Sequence, residues 1–170
     1  MVNRMRAILC FSCLFIFFAG GCKTTTLELE SHKAIEKASY AFQKKKKSPN
    51  EELKGIRFYR PFGYKVKEKS DYTIVMERKG HTILLFVNPQ ENRVSETLIK
   101  GITSQKEHYL IQETFEKEGS KGMIAIKEMK DDAYEMLAVV GGVKVTAQLS
   151  MQELSRYAGK LMEIASSVNQ

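Results

Sequence analysis

The chain has 170 residues, a formal net charge of +7 and 43% hydrophobic residues, so it is long enough to bury one hydrophobic core. Its three cysteines are Cys10, Cys13 and Cys22, which all lie near the N-terminus. This usage excludes a disulfide framework and a cysteine-based metal site in the rest of the chain.

The N-terminal segment has the parts of an export signal. Arg4 and Arg6 give it a positive start, and an apolar run follows from Ala7 to Ala19. The run is shorter than the roughly 20 residues that a membrane-spanning helix needs, and it matches the apolar part of a secretory signal. The segment therefore predicts a signal peptide over residues 1–21.

The end of this segment, Ala19-Gly20-Gly21-Cys22, resembles the lipobox of bacterial lipoproteins. The resemblance implies that a diacylglycerol is attached to the Cys22 sulfur and that cleavage leaves Cys22 as the first residue. It also implies a lipid-anchored protein outside the cytoplasm, in the cell membrane or the outer membrane. The alternatives are an ordinary secretory signal and an uncleaved anchor.

Residues 22–52 are predicted to form a lipidated tether followed by an amphipathic helix. Apolar and small residues recur on one face from Leu27 to about Lys46, and Pro49 stops the helix. The stripe is narrow and rich in alanine, which predicts a helix that lies outside the core and packs weakly on the domain or on another protein. A single α+β domain is then predicted over residues 53–170.

The four lysines at positions 44–47 form the densest charge cluster of the chain. They suit either anionic lipid head groups or the negative C-terminal end of a helix, and the second interpretation is favoured. An exported protein rarely meets nucleic acid, so the positive charge fits an anionic membrane or wall polymer. The predicted partners are the membrane, through the lipid on Cys22, and an envelope protein, with no nucleic acid.

Two groups of strands follow. In the first, Lys79-Gly80 predicts a tight hairpin loop, and Thr82–Val87 is apolar on both faces, which predicts a central strand covered on both sides. In the second, turns at Asp131-Asp132 and Gly141-Gly142 separate the strands. The segment between the two groups, residues 93–105, allows a short helix.

The last element is predicted to be an amphipathic helix that lies on the sheet. Ser150 and Glu153 have the spacing of a capping box, and apolar residues then recur at steps of three and four up to Val168. The predicted fold class is α+β, an antiparallel β-sheet covered by a C-terminal amphipathic helix and preceded by an N-terminal helix.

This order of elements resembles the PsbP-like sandwich. In that family an opening strand and hairpin carry a glycine–aromatic phrase, here Pro61-Phe62-Gly63-Tyr64. The carriers of outer-membrane lipoproteins are a second comparison, since they also combine an antiparallel sheet with helices. Neither family has a short catalytic motif to carry over to this sequence.

The sequence contains no recognisable catalytic or cofactor motif. Its three histidines, His32, His81 and His108, lie far apart along the chain, whereas a metal site needs three or four ligands that converge. A phosphate-binding glycine loop and a nucleophile elbow are missing. The sequence therefore predicts a protein that is not an enzyme and that uses no cofactor and no metal.

One run of aromatic and basic residues is a candidate binding site. Tyr59, Arg60, Phe62 and Tyr64 are its speculative binding residues, because aromatic rings beside cations can make an exposed binding patch. The favoured alternative places Phe58 and Phe62 in the core and leaves Tyr59 and the basic residues in water.

The predicted function is a membrane-anchored envelope lipoprotein with a non-enzymatic binding or scaffold domain. One alternative is a carrier of a lipid or other apolar ligand held between the sheet and its helices, which the many large apolar strand residues motivate. A further alternative is a hydrolase with scattered catalytic residues.

Overall fold

The computed structural model describes residues 26–104 and 109–169. The predicted signal peptide at 1–21, the lipidation of Cys22 and His108 lie outside these residues, and the first two stay predictions. The described residues form nine strands and three helices. In chain order the elements are α1 (Leu27–Gln43), β1 (Glu51–Leu53), β2 (Ile56–Phe58), β3 (Lys65–Lys69), β4 (Thr73–Arg78), β5 (His81–Val87), α2 (Thr97–Ser104), β6 (Ile111–Lys117), β7 (Ser120–Glu128), β8 (Ala133–Val140), β9 (Val143–Ser150), a 3₁₀ turn (Met151–Glu153) and α3 (Leu154–Ser167).

Seven strands form one sheet in the order β3-β4-β5-β9-β8-β7-β6, and β1 pairs with β2 in a separate ladder. Every neighbouring pair is antiparallel. The two strand groups meet at the pair β5–β9, where Leu85 lies opposite Val145. The predicted α+β class, with an antiparallel sheet between an N-terminal and a C-terminal helix, is confirmed.

The hairpin turns lie where the sequence predicts them. Lys79 and Gly80 have φ angles of 49° and 80°, and Asp131 and Asp132 have φ angles of 59° and 53°. Aspartate tolerates this left-handed region because its short side chain can hydrogen-bond to the nearby backbone. The turns fix the pairing register, so that Arg78 lies opposite His81 directly beside the first of them.

Helices cover both faces of the large sheet, but unequally. On one face, α3 packs on β8 and β9 through Leu161 and other fully buried side chains. The capping box predicted before this helix is present, with the Ser150 N–H donating to Glu153 Oε2 at 3.1 Å. On the other face, α2 places Ile99 and Ile102 against β7 and β8. Within the described ranges, no helix combines the length and the apolar character needed to cross a bilayer.

The expectation that α1 lies outside the core is wrong. The helix packs along α3, and four of its apolar residues are buried in the main core: Ala34, Ala38, Ala41 and Phe42. The small alanine side chains suit this position because the two helices approach closely. A Cβ atom at Gly159 of α3 would lie 3.3 Å from the Lys37 carbonyl oxygen of α1.

Phe42 fixes the end of α1 on the sheet. A Cβ atom at Gly122 of β7 would lie 2.7 Å from the Phe42 ring, so the ring rests directly on the glycine. The ring centroid is 6.0 Å from that of Phe115 on β6. The helix ends at Gln43, one residue later, and the next residues have no regular secondary structure.

The prediction that both faces of β5 are covered is also wrong. The strand is central, and Ile83, Leu85 and Val87 are buried towards the helices. On the opposite face Leu84 is 37% exposed and Phe86 is half-buried. The reason is that α2 reaches only β7 and β8 on that face, and an apolar run by itself does not reveal where a covering helix ends.

Candidate functional site

The chain between β2 and β3 forms a turn whose backbone is fixed at several points. The Arg60 N–H donates to Asn50 Oδ1 at 2.7 Å, and the Asn50 side-chain amide donates to the Arg60 carbonyl at 3.1 Å. The Tyr64 N–H donates to the Pro61 carbonyl at 3.2 Å. Gly63 has a φ angle of 82°, a conformation that glycine adopts without steric cost.

Two arginine side chains hold this turn by donating hydrogen bonds to its backbone carbonyls. The Arg60 guanidinium donates to Glu51 Oε2 at 2.6 Å and to the Tyr64 carbonyl at 2.5 Å. Arg78 on β4 donates to the Phe62 carbonyl at 3.1 Å. The turn is therefore held by hydrogen bonds to residues of its flanking strands.

The turn exposes Phe62. The ring is 89% exposed, so the favoured expectation that Phe62 enters the core is wrong. Phe58 is fully buried, as expected, but strand β2 ends there and the alternation of inward and outward side chains ends with it. With Phe58 pointing inwards, alternation would place Phe62 inwards and Pro61 outwards, whereas Pro61 is buried and Phe62 is exposed.

Phe62 forms one wall of a groove of about 410 Å³ between this turn, α1 and α3, which we call the aromatic groove. Its aromatic and apolar lining includes Tyr40, Tyr59, Pro61 and Phe62. Tyr40 is also widely exposed, at 69%. The charged residues of the aromatic groove are Lys37, Lys44, Arg78, Arg156, Lys160 and Glu163.

Lys160 lines the aromatic groove and lies close to two aromatic rings. Its Nζ is 4.2 Å from the ring centre of Tyr157 and 5.5 Å from that of Tyr64. Burial, together with the nearby positive charges of Arg78 and Arg156, lowers the pKa of Lys160. A negatively charged group in the groove would offset this repulsion.

Tyr64 supports this arrangement from the interior. It is 1% exposed, and its hydroxyl lies 3.2 Å from the Tyr157 hydroxyl. Burial and this hydrogen bond raise the pKa of Tyr64. The phenol therefore stays neutral and holds the ring beneath Lys160.

The four predicted binding residues thus have two different roles in the structure. Tyr59 and Phe62 line the aromatic groove, whereas Arg60 holds the turn and Tyr64 lies behind it. Sequence reasoning missed the two helices that complete the groove. Spacings of three or four residues could have placed Lys37 with Tyr40, and Arg156 with Lys160, on one face of their own helices. Nothing in the sequence indicated that the two helices pack against each other.

The lysine cluster at 44–47 does follow the end of a helix, since Lys44 is the C-cap of α1. Its members nevertheless have separate surroundings. Lys44 pairs with Glu163 at 2.7 Å, and this carboxylate raises the pKa of Lys44. Lys47 lies 5.6 Å from the ring centre of Tyr59. Two lysines of the cluster are thereby directed towards the aromatic groove.

The aromatic groove has the chemistry of a binding surface. Its ionisable groups are five cations, one carboxylate and two tyrosines, so it offers no paired carboxylates and no cysteine or histidine. Across residues 26–104 and 109–169, no three His, Cys, Asp or Glu side chains are grouped where they could hold a metal ion. The arrangement can attract anionic groups and can cover apolar or aromatic ones.

Comparisons with known proteins give a likeness of fold. No protein-family model matches the chain, and no curated protein matches it. Among solved structures, the chain is similar to the solution structure of cyanobacterial PsbP (CyanoP) from Synechocystis sp. PCC 6803, at 12% sequence identity and a TM-score of 0.42. The match covers 68% of this chain and 86% of that chain. A likeness at this TM-score carries no argument about the fold family or the function of this chain.

Proposed function

We propose that this protein is a lipid-anchored component of the bacterial envelope, and that its domain binds an acidic segment of an envelope protein without catalysing a reaction. The aromatic groove is the proposed binding site. The observation that carries the proposal is Phe62, a ring that is 89% exposed on a turn braced by two arginines.

The rigidity of the turn supports a role in recognition. An exposed phenylalanine ring leaves apolar surface in contact with water. A partner that covers this surface gains free energy of binding. Because the backbone around Phe62 is already fixed, a partner that covers the ring loses little additional conformational freedom of this chain. Aromatic and arginine side chains of this kind dominate the energetics of many protein–protein interfaces.

The charges of the aromatic groove support an acidic partner. Five cations face one carboxylate, and that carboxylate, Glu163, is already paired with Lys44. Lys37, Arg78 and Lys160 also line the groove, and they form no ion pair with a carboxylate of the described residues. A partner segment that combines an apolar or aromatic residue with nearby aspartates or glutamates matches both features.

The lipid-carrier alternative gains no support from the packing between α3 and the sheet. Leu154, Leu161 and Ile164 are fully buried there, and the same core cluster includes Met136 and Val145 of the sheet. Side chains thus occupy the layer in which an apolar ligand was expected to lie. The hydrolase alternative likewise has no supporting group in the aromatic groove.

The lipid anchor is the part of the proposal that rests on the N-terminal sequence. Cys22→Ala is expected to move the protein from the membrane fraction to the soluble fraction, because no acceptor remains for the lipid. Cys13→Ala is the matched control, and it is expected to leave the protein in the membrane fraction. If the Cys22→Ala protein stays with the membrane, a lipid on Cys22 is not what holds it there.

Site-specific photo-crosslinking in cells tests the binding site. A photoreactive residue at position 62 is expected to form a defined adduct with an envelope protein, through a segment rich in acidic residues. The same residue at position 129, where Met129 is 41% exposed in a hairpin turn, serves as the control. Lys37→Glu is expected to abolish the adduct, and Lys130→Glu is expected to preserve it. Equal adducts at both positions, or no effect of Lys37→Glu, would refute the proposed site.

A further inference from the structure

A second cavity, of about 360 Å³, lies beyond Lys44, on the far side from Phe62. Its charged lining consists of Lys44, Lys45, Lys46, Arg93, Lys117 and Glu118, and we call it the basic cavity. Its one aromatic lining residue, Phe42, is buried. The basic cavity therefore offers a cluster of positive charge and no exposed aromatic ring.

Arg93 is the best-fixed group of the basic cavity. Its backbone lies directly on the β8–β9 hairpin, since a Cβ atom at Gly141 would lie 2.6 Å from the Arg93 Cα. Its Nη1 donates to the Ser166 carbonyl at 2.9 Å, near the end of α3. One bond leaves most of the five guanidinium N–H donors free for another acceptor.

Some of the other cations of the basic cavity already contact a negative group or a carbonyl oxygen, and others form no ion pair. Lys44 pairs with Glu163 at 2.7 Å, and Lys117 donates to the Gln43 carbonyl at 2.6 Å. Lys45, Lys46 and Arg93 make no ion pair with any carboxylate of the described residues. Three positive groups thus line one cavity with a single carboxylate, Glu118, and none of the three forms an ion pair with it.

The free cations of the basic cavity also repel one another. Partial loss of hydration, and then the nearby positive charge of Arg93, lowers the pKa of Lys46, although Glu118 acts in the opposite direction. Placing like charges together disfavours their charged forms, and an anion bound between them relieves that cost. An anion bound among Lys45, Lys46 and Arg93 would therefore lower the repulsion between them.

We propose that the basic cavity binds a phosphate-bearing anion, with Arg93 as the fixed fork and Lys45 and Lys46 as flexible point charges. A planar guanidinium pairs with two phosphate oxygens at once, and lysine adds charge from an adaptable side chain. The volume of 360 Å³ lies in the range of about 300–1,000 Å³ that is usual for small-molecule pockets. It suits a diphosphate or a phosphodiester head group. This inference does not depend on the function proposed for the aromatic groove.

Calorimetric titration of the full chain in a nonionic detergent, with inorganic pyrophosphate as the probe, tests this site. We expect saturable binding that weakens with added salt. Arg93→Gln is expected to weaken binding about tenfold or more, and Arg93→Lys, which keeps the charge but not the fork, by less. Lys46→Gln changes an exposed residue and keeps the test valid if Arg93→Gln disturbs folding. It is expected to weaken binding about threefold.

Lys130→Gln is the matched control, because Lys130 is an exposed lysine at the opposite end of β7 from the basic cavity. It is expected to leave pyrophosphate binding unchanged. No saturable binding by the unmodified chain, or an equal loss for Lys46→Gln and Lys130→Gln, would overturn the inference. Phe62→Ala is expected to leave this binding intact, which separates failure of the anion site from failure of the proposed function.

A second titration distinguishes a lipid head group from a soluble or polymeric phosphate as the ligand. Dihexanoylphosphatidylglycerol, used below its micelle concentration, presents the phosphodiester of a lipid head group. Binding of this lipid that depends on Arg93 and competes with pyrophosphate assigns the site to membrane head groups. Binding of pyrophosphate alone assigns it to soluble or polymeric phosphates, and either result supports the anion site.

Discussion

The aromatic groove and the basic cavity share Lys44, and they present different chemistry on its two sides. The groove surrounds the exposed rings of Phe62 and Tyr40 with cations, whereas the cavity has cations around one buried ring. Exposed aromatic rings favour a macromolecular partner that can cover them, and clustered charge without an exposed ring favours a small anion. Two surfaces of similar charge can therefore serve different ligands.

Both surfaces depend on the position of α1. The helix supplies Lys37 and Tyr40 to the aromatic groove and leads into Lys45 and Lys46 in the basic cavity. Two phenylalanines differ in role, one in packing and the other in the binding surface. Phe42 is buried and holds α1 on the sheet, whereas Phe62 is exposed and contributes little to the core. Single substitutions separate these roles, and their expected effects decrease from Phe42 to Lys44.

Phe42→Ala is expected to have the largest effect, a loss of about 3–5 kcal/mol in the free energy of unfolding. The ring contacts Gly122 and Phe115, so its removal leaves a cavity beneath the end of α1. Urea unfolding followed by circular dichroism measures the loss. A change below 1 kcal/mol would show that the end of α1 is held in another way. Both surfaces are expected to weaken together in this variant.

Phe62→Ala is expected to weaken partner binding by about 2 kcal/mol, or about thirtyfold, as for a central aromatic residue of an interface. The free energy of unfolding is expected to stay within about 0.5 kcal/mol, because the ring is exposed. The yield of adduct from a photoreactive residue at position 40 measures binding. Tyr72→Ala, which removes a ring that is 51% exposed on another turn, is the control and is expected to preserve the yield.

Glu30→Gln is expected to destabilise the fold by about 1 kcal/mol at pH 7. Glu30 is 5% exposed at the start of α1, and hydrogen bonds from Ser155 and Lys33 hold its pKa below the ordinary value of 4.5. Its carboxylate therefore contributes fully above pH 4.5, and this contribution is lost as the pH falls through the lower folded-state pKa.

The pH dependence provides the measurement for this residue. Urea unfolding at a series of pH values is expected to show the difference between Glu30→Gln and the unmodified chain shrink below pH 4.5. Glu36→Gln, at an exposed position of the same helix, is expected to show almost no difference at pH 7. A Glu30→Gln effect that stays constant with pH would mean that the charge of Glu30 does not contribute to docking α1 on α3.

Lys44→Gln is expected to have the smallest effect, about 0.2–1 kcal/mol, because its ion pair with Glu163 is partly exposed. A double-mutant cycle with Glu163→Gln isolates the pair energy, which is expected to fall in 1 M salt. A pair energy above 2 kcal/mol would show that the boundary between the two surfaces also holds the helices together.

The sequence predicted the local elements of this fold well and their contacts poorly. The hairpin at Lys79-Gly80 and the capping box at Ser150 were predicted correctly because they depend on residues that are neighbours in the chain. The exposure of Phe62 was not, because Gly63 and Pro61 take the chain out of the strand alternation on which the prediction relied. The sequence therefore indicated the turn side of the aromatic groove, at Tyr59 and Phe62, and missed the side formed by α1 and α3.

The sequence by itself determined the helices, the turns, the antiparallel strand groups and the N-terminal segment that predicts a lipid on Cys22. Each of these follows from spacing and turn chemistry over a few residues. Only the tertiary structure decided that α1 belongs to the core and that the lysines on it and directly after it line two separate surfaces. The physical reason is that these surfaces arise where α1 meets α3 across Gly159 and the sheet across Gly122, and both contacts join residues far apart in the chain.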